Sequence, residues 1–404
     1  MIKAQTLKGF RDFLPQEAKK RQYVIDTLKS VFESYGFEPL ETPALEYEEI
    51  LLGKYGEEGD KLMYRFEDRG KRKVALRYDQ TVPLARVVAQ YQDKLPMPFK
   101  RYQIQNVWRA DNTQKGRYRE FLQCDIDTIG TVSTLSDAEI LELVYESFKQ
   151  IGLDIVIKIN DRKLLENIPT KSLNILDKLN KIGEKGIIEE FKKFGKTEEE
   201  AKNILAETKS LKPSPILQEI INLATELGCP KEDMIFDPTL VRGLDYYTGV
   251  IFEVFQKNSD SKLSLGGGGR YDNLIGMLAA RQIPAVGFAF GFDRIIEVME
   301  EKNLFPITLQ TTKVLVTVFS PELLDKSIKV CEILNSNNIN QELYIDPSAK
   351  MEKQLKYADK KGIPYAVIIG PDEASKNMVT IRNMKTREQK TISLDEVLSV
   401  FPSP

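Results

Sequence analysis

Residues 99–130, FKRYQIQNVWRADNTQKGRYREFLQCDIDTIG, constrain the fold of this chain more than any other stretch. Polar and apolar residues alternate in RYQIQNVW and again in FLQCDIDTI, the period-two pattern of half-buried strands. The polar loop between them, which carries Lys115, Arg117 and Arg119, holds no apolar periodicity for a crossover helix. Two strands so joined pair antiparallel, since a parallel pair needs a crossover of a dozen or more residues. An antiparallel hairpin with a basic tip is therefore expected.

The flanking segments extend this unit. Over residues 16–35, Val24, Ile25, Leu28, Val31, Phe32 and Tyr35 fall at helical spacing, giving an amphipathic helix of about five turns that Gly36 ends. Residues 36–47, GFEPLETPALEY, read as extended because Pro39 and Pro43 push their predecessors out of the α region. Residues 73–90, KVALRYDQTVPLARVVAQ, lead into the hairpin. Residues 164–238 are Lys/Glu-rich with Leu and Ile at helical intervals, as in KSLNILDKLNKIG, and are expected to form a helical insertion. A charged spacer and a nucleic-acid-binding module both remain open for it.

Residues 240–253, LVRGLDYYTGVIFE, place an arginine at a glycine turn, then an acid, two tyrosines and a threonine, ahead of an apolar strand. Arg242 offers a fixed fork of donors for a carboxylate or phosphate, Gly243 permits close backbone approach, and Tyr246 and Tyr247 supply flat faces with hydroxyl tips. SLGGGGRYDNLI at 264–275 and AVGFAFGFDRIIEVM at 285–299 return to strand, turn and helix. Residues 306–312 read as a linker. Strands and helices alternate beyond it, so a compact α/β domain with a largely parallel sheet is expected.

Composition narrows the chemistry. At 404 residues, 42% hydrophobic and 29% charged, the chain is long enough for two or three domains. The N-terminus has no signal-peptide or transit character, and nowhere is there an apolar run of membrane-spanning length, so a cytoplasmic protein without membrane contact is expected. Cys124, Cys229 and Cys331 lie far apart and form no CxxC pair, which implies neither a disulfide framework nor a thiolate zinc site. There is no histidine, which excludes Ser-His-Asp and Cys-His triads, HExxH zinc sites and any protein imidazole as general base. A net charge of −2 gives no global basic field for nucleic acid, leaving only local basic faces.

The segment 240–253 closely resembles the signature of histidyl-tRNA synthetases, and other blocks of that family surround it in the right order. The N-terminal helix, the strand and its proline resemble motif 1 of class II aminoacyl-tRNA synthetases, which implies a homodimer. The hairpin resembles motif 2. That likeness implies that Arg109 contacts the ATP α-phosphate, that Phe121 stacks on adenine, and that the loop with Lys115, Arg117 and Arg119 reaches the tRNA acceptor end. Asp111 stands where the general class II pattern has a glutamate for the adenine amino group. AVGFAFGFDRII resembles motif 3, whose arginine, here Arg294, covers adenine and reaches the γ-phosphate.

Further blocks resemble the histidyl family alone. LRYDQT places Asp79 and Thr81 where the family holds the α-amino group of histidine, with Gln123 helping. Asp127 resembles the acceptor for the imidazole, Tyr247 addresses the other ring nitrogen beside Tyr246, and Arg242 matches the family's extra arginine at the α-phosphate. The GGGG run resembles a tight wall near the substrate, followed by Arg270, Tyr271 and Asp272.

The resemblance implies an α+β catalytic domain with an antiparallel sheet at 1–163 and 239–305, the insertion at 164–238, and an α/β anticodon-binding domain at 312–404. It implies a histidine:tRNA ligase using ATP and Mg²⁺, with histidine and tRNA(His) as substrates and no metal ligands among its own side chains. Carboxylate activation needs no general base, because a carboxylate is already a nucleophile; it needs fixed cations where charge builds up. The alternative is a catalytically silent, histidine-sensing paralogue, such as the regulatory subunit of ATP phosphoribosyltransferase. Such paralogues typically lack the C-terminal domain and the signature arginines, whereas this chain keeps Arg109, Arg242, Arg294 and the tail. A sensing domain fused to a kinase would need kinase motifs absent here.

Overall fold

The computed structural model describes residues 2–52, 62–113, 118–242, 246–259, 261, 263–279, 281–307 and 309–401. The chain forms two compact units, Met1–Phe305 and Pro306–Pro404.

In the first unit the strands are, in chain order, β1 (Glu38–Pro39), β2 (Leu45–Tyr47), β3 (Arg65–Glu67), β4 (Lys73–Leu76), β5 (Phe99–Trp108), β6 (Glu120–Ile129), β7 (Ile155–Asp161), β8 (Met234–Phe236), β9 (Val250–Gln256), β10 (Gly266–Arg270) and β11 (Ala285–Phe290). Among the described residues, eight of them form one sheet in the order β1-β5-β6-β11-β10-β9-β7-β8, while β2, β4 and β3 form a small sheet of their own. The central pairs are antiparallel, and only the edge pairs β1/β5 and β7/β8 run parallel. The expected hairpin is β5 and β6, closed where the Arg109 N–H donates to the Arg119 carbonyl at 2.8 Å.

Alternation along these strands gives the sheet two unlike faces. Tyr102, Cys124, Ile126, Phe252, Val286 and Phe288 point into an apolar cluster covered by the helices Pro15–Ser34 and Thr134–Gln150. The first of these helices buries Val24, Leu28, Val31 and Phe32, the stripe read from its spacing, with Ile25 and Tyr35 at its margin. Each such side chain contributes roughly 1.5–3 kcal/mol when fully buried. The opposite face is polar and carries the site.

The Lys/Glu-rich stretch divides in two. Helices Thr170–Leu176, Leu179–Lys193 and Glu198–Ser210 pack on their own cluster around Leu173, Ile187, Phe191 and Leu205. Helix Pro215–Leu227 instead sends Leu217, Ile220, Ile221 and Ala224 into the main core, and β8 pairs with β7 in the main sheet. Its apolar stripe is broad enough to cover α/β core, unlike those of the Lys/Glu-rich helices before it.

The second unit holds β12 (Val314–Val316), β13 (Gln341–Leu343), β14 (Tyr365–Ile368), β15 (Met378–Asn383) and β16 (Gln389–Ser393), in the order β13-β12-β14-β15-β16. The expectation of a largely parallel sheet is corrected: β12 is parallel to β13 and β14, but β14/β15 and β15/β16 are antiparallel. The connection 384–388 between β15 and β16 is too short for a crossover and can only turn the chain back.

Candidate active site

Cross-strand register builds the floor of the site. Arg101, Gln103 and Gln105 of β5 stand opposite Asp127, Asp125 and Gln123 of β6, so a row of polar side chains shares one face. Phe121 lies on that same face, one alternation beyond Gln123. Next to Asp127 and Asp125 on β11 come Gly287 and Ala289, and beyond them Gly269 and Gly267 on β10. These small residues leave room for long side chains to lie flat on the sheet. A Cβ on Gly287 would sit 2.6 Å from Asp127 Cγ, and one on Gly267 would sit 2.7 Å from Arg242 Cζ.

Arg242 therefore lies over Gly267, with Nη1 3.5 Å from a carboxylate oxygen of Glu253 on β9 and Cζ 5.9 Å from the centre of the Tyr247 ring. Gly243 and Asp245 of the same signature lie outside the described residues. Tyr246 and Tyr247 pack ring on ring at 4.4 Å, and Tyr271 meets Tyr246 edge-on at 5.7 Å. The Tyr271 hydroxyl donates to Asp127 Oδ1, while Arg101 Nη2 lies 2.6 Å from Asp127 Oδ2. The expected histidine contacts Asp127, Tyr246 and Tyr247 are thus brought together.

Burial sets the charge of this floor. Asp125 is pushed up to about 7, chiefly by burial and further by Asp127, against the opposing pull of Arg101. Its Oδ2 accepts from Gln123 Nε2 at 2.7 Å. Burial beside Asp127 likewise holds the Tyr271 hydroxyl well above its ordinary range, so it remains a donor.

The helix Thr81–Tyr91 brings the next group. Asp79 accepts from the Val82 N–H at 3.2 Å, and Gln80 Nε2 donates to the carbonyls of Gln105 and Gln123, pinning the start of the helix, with Thr81, to the hairpin. Arg109 donates from Nε to the Tyr78 carbonyl at 3.0 Å and places its guanidinium 5.1 Å from the Phe121 ring centre. Asp111 accepts through its carbonyl from Arg119 Nε at 3.0 Å, so Arg119 sits at the base of the hairpin loop and not at its tip. Lys115 and Arg117 lie outside the described residues. Arg294, in the first turn of helix Phe292–Glu301, donates to the Ser264 carbonyl at 3.0 Å, and its neighbour Asp293 pairs with Arg11 and Arg21.

Several of these residues had no reading from the sequence: Arg101, Gln103, Gln105, Glu253, Gln80 and the Arg11/Arg21 pair. The signal for the first three was present, because pairing the two alternating stretches in register sets Arg101 against Asp127. Arg270, which follows the glycine run, turns away from this face; it bonds Asp137 and the Thr131 and Ser133 carbonyls. Among the described residues no cluster of three or more His, Cys, Asp or Glu could hold a metal ion, and no helix is long and apolar enough to cross a membrane.

Comparison with known proteins decides the family. A family model described as Histidyl-tRNA synthetase matches residues 9–182 and 160–295, and one described as Anticodon binding domain matches residues 313–403. The chain belongs to the histidyl-tRNA synthetase family. The histidine–tRNA ligase of Cytophaga hutchinsonii is 40% identical, covering 98% of this chain and 99% of its own length. That of Christiangramia forsetii is also 40% identical, covering 96% and 97%. Among solved structures, the histidyl-tRNA synthetase from Nostoc sp. PCC 7120 is similar with a TM-score of 0.85 and 30% identity, over 99% of this chain and 100% of that one. The fold is thus the class II synthetase type, with a C-terminal α/β anticodon-binding domain.

Proposed function

We propose that this chain is a histidine:tRNA ligase, which activates histidine with ATP to histidyl-adenylate and transfers it to the 3′ end of tRNA(His). One observation carries the reading: Arg242 lies flat over Gly267 on the polar face of the sheet, beside the tyrosines that lead to Asp127. A guanidinium fork suited to a phosphate and a set of tyrosine and carboxylate groups suited to an imidazole thus share one face of the sheet, which is the arrangement that joining an amino acid to a nucleotide requires.

The carboxylate of histidine attacks the α-phosphate of ATP. Two anions repel, so Arg109 and Arg242 act as fixed cations at the phosphorus centre, where they gain most as charge builds up. Phe121 stacks on adenine with Asp111 at its amino group, and Arg294 covers the base and reaches the γ-phosphate. Asp79, Thr81 and Gln123 hold the α-amino group, while Asp127 and Tyr247 address the two ring nitrogens and Tyr246 backs the ring. Magnesium would come bound to the ATP phosphates as part of the nucleotide substrate and would supply charge neutralisation there, while Arg109 and Arg242 act from the protein side.

The catalytic domain comprises residues 1–163 and 239–305 together with helix Pro215–Leu227 and β8, the insertion is the helices Thr170–Leu176 to Glu198–Ser210 with their own cluster, and residues 312–404 bind the anticodon. Lys115, Arg117 and Arg119 meet the acceptor end of the tRNA, and the enzyme works in the cytoplasm as a homodimer. Charging of tRNA tests the reading: labelled histidine should become acid-precipitable with tRNA(His) and ATP, and no other amino acid should. Failure to charge alongside ordinary histidine binding would favour the silent sensor.

A further inference from the structure

Arg101 is fully buried in β5, directly across from Asp127 in β6. Its Nη2 lies 2.6 Å from Asp127 Oδ2, and its Nη1 donates to Gln103 Oε1 at 3.4 Å. Neither its Nε nor its Nη2 makes a hydrogen bond among the described residues, so its contact with Asp127 is a close ion pair. A guanidinium taken wholly out of water with an unmet N–H is costly, and an apolar pair in place of a buried ion pair is often neutral or stabilising. Packing alone therefore gives no reason for an arginine here.

What Arg101 touches supplies one. Asp127 is held on one oxygen by Arg101 and on the other by the Tyr271 hydroxyl, and Gly287 leaves the space in which its carboxylate lies. A carboxylate offers about four acceptor positions, so the Tyr271 hydrogen bond and the Arg101 ion pair locate it and balance its charge without exhausting it. Through Tyr271 and Tyr246 the same carboxylate is linked to Tyr247.

We propose that Arg101 is a positioning residue for the histidine side chain: acting through Asp127, it fixes that carboxylate and cancels its charge, so that the site takes neutral imidazole and rejects imidazolium. The proposal rests on Asp127 and Tyr247 being the ring contacts. The charged and titratable groups around this pair are Asp125 on β6, Tyr271 after β10, Tyr246 and Tyr247 before β9, Asp79 ahead of helix Thr81–Tyr91, and, on β1, Glu38, the register partner of Arg101, which is exposed to solvent; β11 contributes Gly287 and Ala289. Burial pushes Asp125 up to about 7, and Asp79 is assigned to the α-amino group, so over the acid limb the ion pair of Arg101 with Asp127 sets the charge at the ring end. A second cation on Asp127 would lie beside Arg101 and be repelled.

The test is histidine-dependent pyrophosphate exchange across about pH 5.5 to 8, the window in which imidazole titrates, for wild type, Arg101→Met, Arg101→Lys and Asp127→Asn. Arg101→Met should raise KM for histidine by about tenfold or more with kcat little changed, the mark of lost ground-state binding. It should also flatten the acid limb of kcat/KM, because the uncompensated carboxylate now accepts imidazolium; Arg101→Lys should restore the limb. Wild-type KM and limb in Arg101→Met, with Asp127→Asn impaired, would overturn the role of Arg101 alone. Wild-type KM in Asp127→Asn would instead remove the ring contact on which it rests. Should Arg101→Met not fold, ring-labelled histidine bound to the wild-type enzyme answers by NMR, since the chain has no histidine of its own. The bound ring should titrate below the free value of about 6.5; a ring that is protonated when bound near pH 6 would overturn the proposal.

Discussion

Replacing Gly267 with alanine should disable adenylate formation without disturbing the fold. Gly267 sits in β10 between Glu253 of β9 and Ala289 of β11, with no positive φ to forbid a side chain. Its new Cβ would stand 2.7 Å from Arg242 Cζ and closer still to Nη1. Ordinary contact needs about 3.5 to 4 Å, so the guanidinium must retreat by about 1 Å. The obstacle is the far end of a flexible side chain, which can swing away, so the melting temperature should stay within about 2–4 °C of wild type, as for a change of no more than about 1 kcal/mol. A misplacement of that size costs about a hundredfold in rate, and loss of a fixed donor about 3 to 4 kcal/mol. Single-turnover formation of histidyl-adenylate by rapid quench should therefore fall roughly hundredfold, with KM for histidine little changed. Arg242→Ala should do the same, and the double variant should be no slower than Arg242→Ala, because both act through one guanidinium. A rate within about threefold of wild type, or additive losses, would refute the placement of Arg242. Gly268→Ala is the contrast: its Cβ would strike the Gly287 backbone carbonyl, so it should cost stability instead.

Further outcomes follow from burial and domain structure. Asp125, raised to about 7 by burial, carries stability that is present below its unfolded value near 4 and lost as pH rises through about 7; thermal melts should show this decline, and Asp125→Asn should flatten it. An unchanged slope in that variant would mean that Asp125 is ionised in the folded protein. Residues 306–404 form their own compact unit with its own apolar cluster, so deleting them should spare pyrophosphate exchange and cripple tRNA charging; loss of both would make the unit structural. Binding of tRNA(His) should weaken steeply with salt despite the net charge of −2, because local Lys and Arg release phosphate counterions. A flat salt dependence would argue against tRNA as the partner.

Much of the catalytic unit was legible because its elements obey simple periods. The alternation in 99–108 and 120–129 is strong enough to define β5 and β6, and the buried stripe of helix Pro15–Ser34 matches its spacing. Three-dimensional choices were not legible. Which helix of residues 164–238 joins the main core depends on partners distant in sequence, so the broader apolar stripe of helix Pro215–Leu227 acquires its meaning only once the core it covers is in place. Parallel or antiparallel pairing in the second unit depended on the length of a turn, not on alternation. Arg101 was hidden because a lone arginine in a strand reads as solvent-facing until cross-strand register sets it against Asp127. Arg109, Phe121, Arg242, Tyr247 and Arg294 came from motif resemblance, and their neighbours are what the structure adds.

Histidine-dependent exchange of labelled pyrophosphate into ATP, measured on the full chain without tRNA, tests the proposed activity most directly. The reading predicts exchange that requires histidine, is not supported by other amino acids, and is lost by roughly a hundred- to a thousandfold in Arg242→Ala. Binding of histidine with no exchange at saturating ATP and magnesium would contradict it and identify a sensor in place of a ligase.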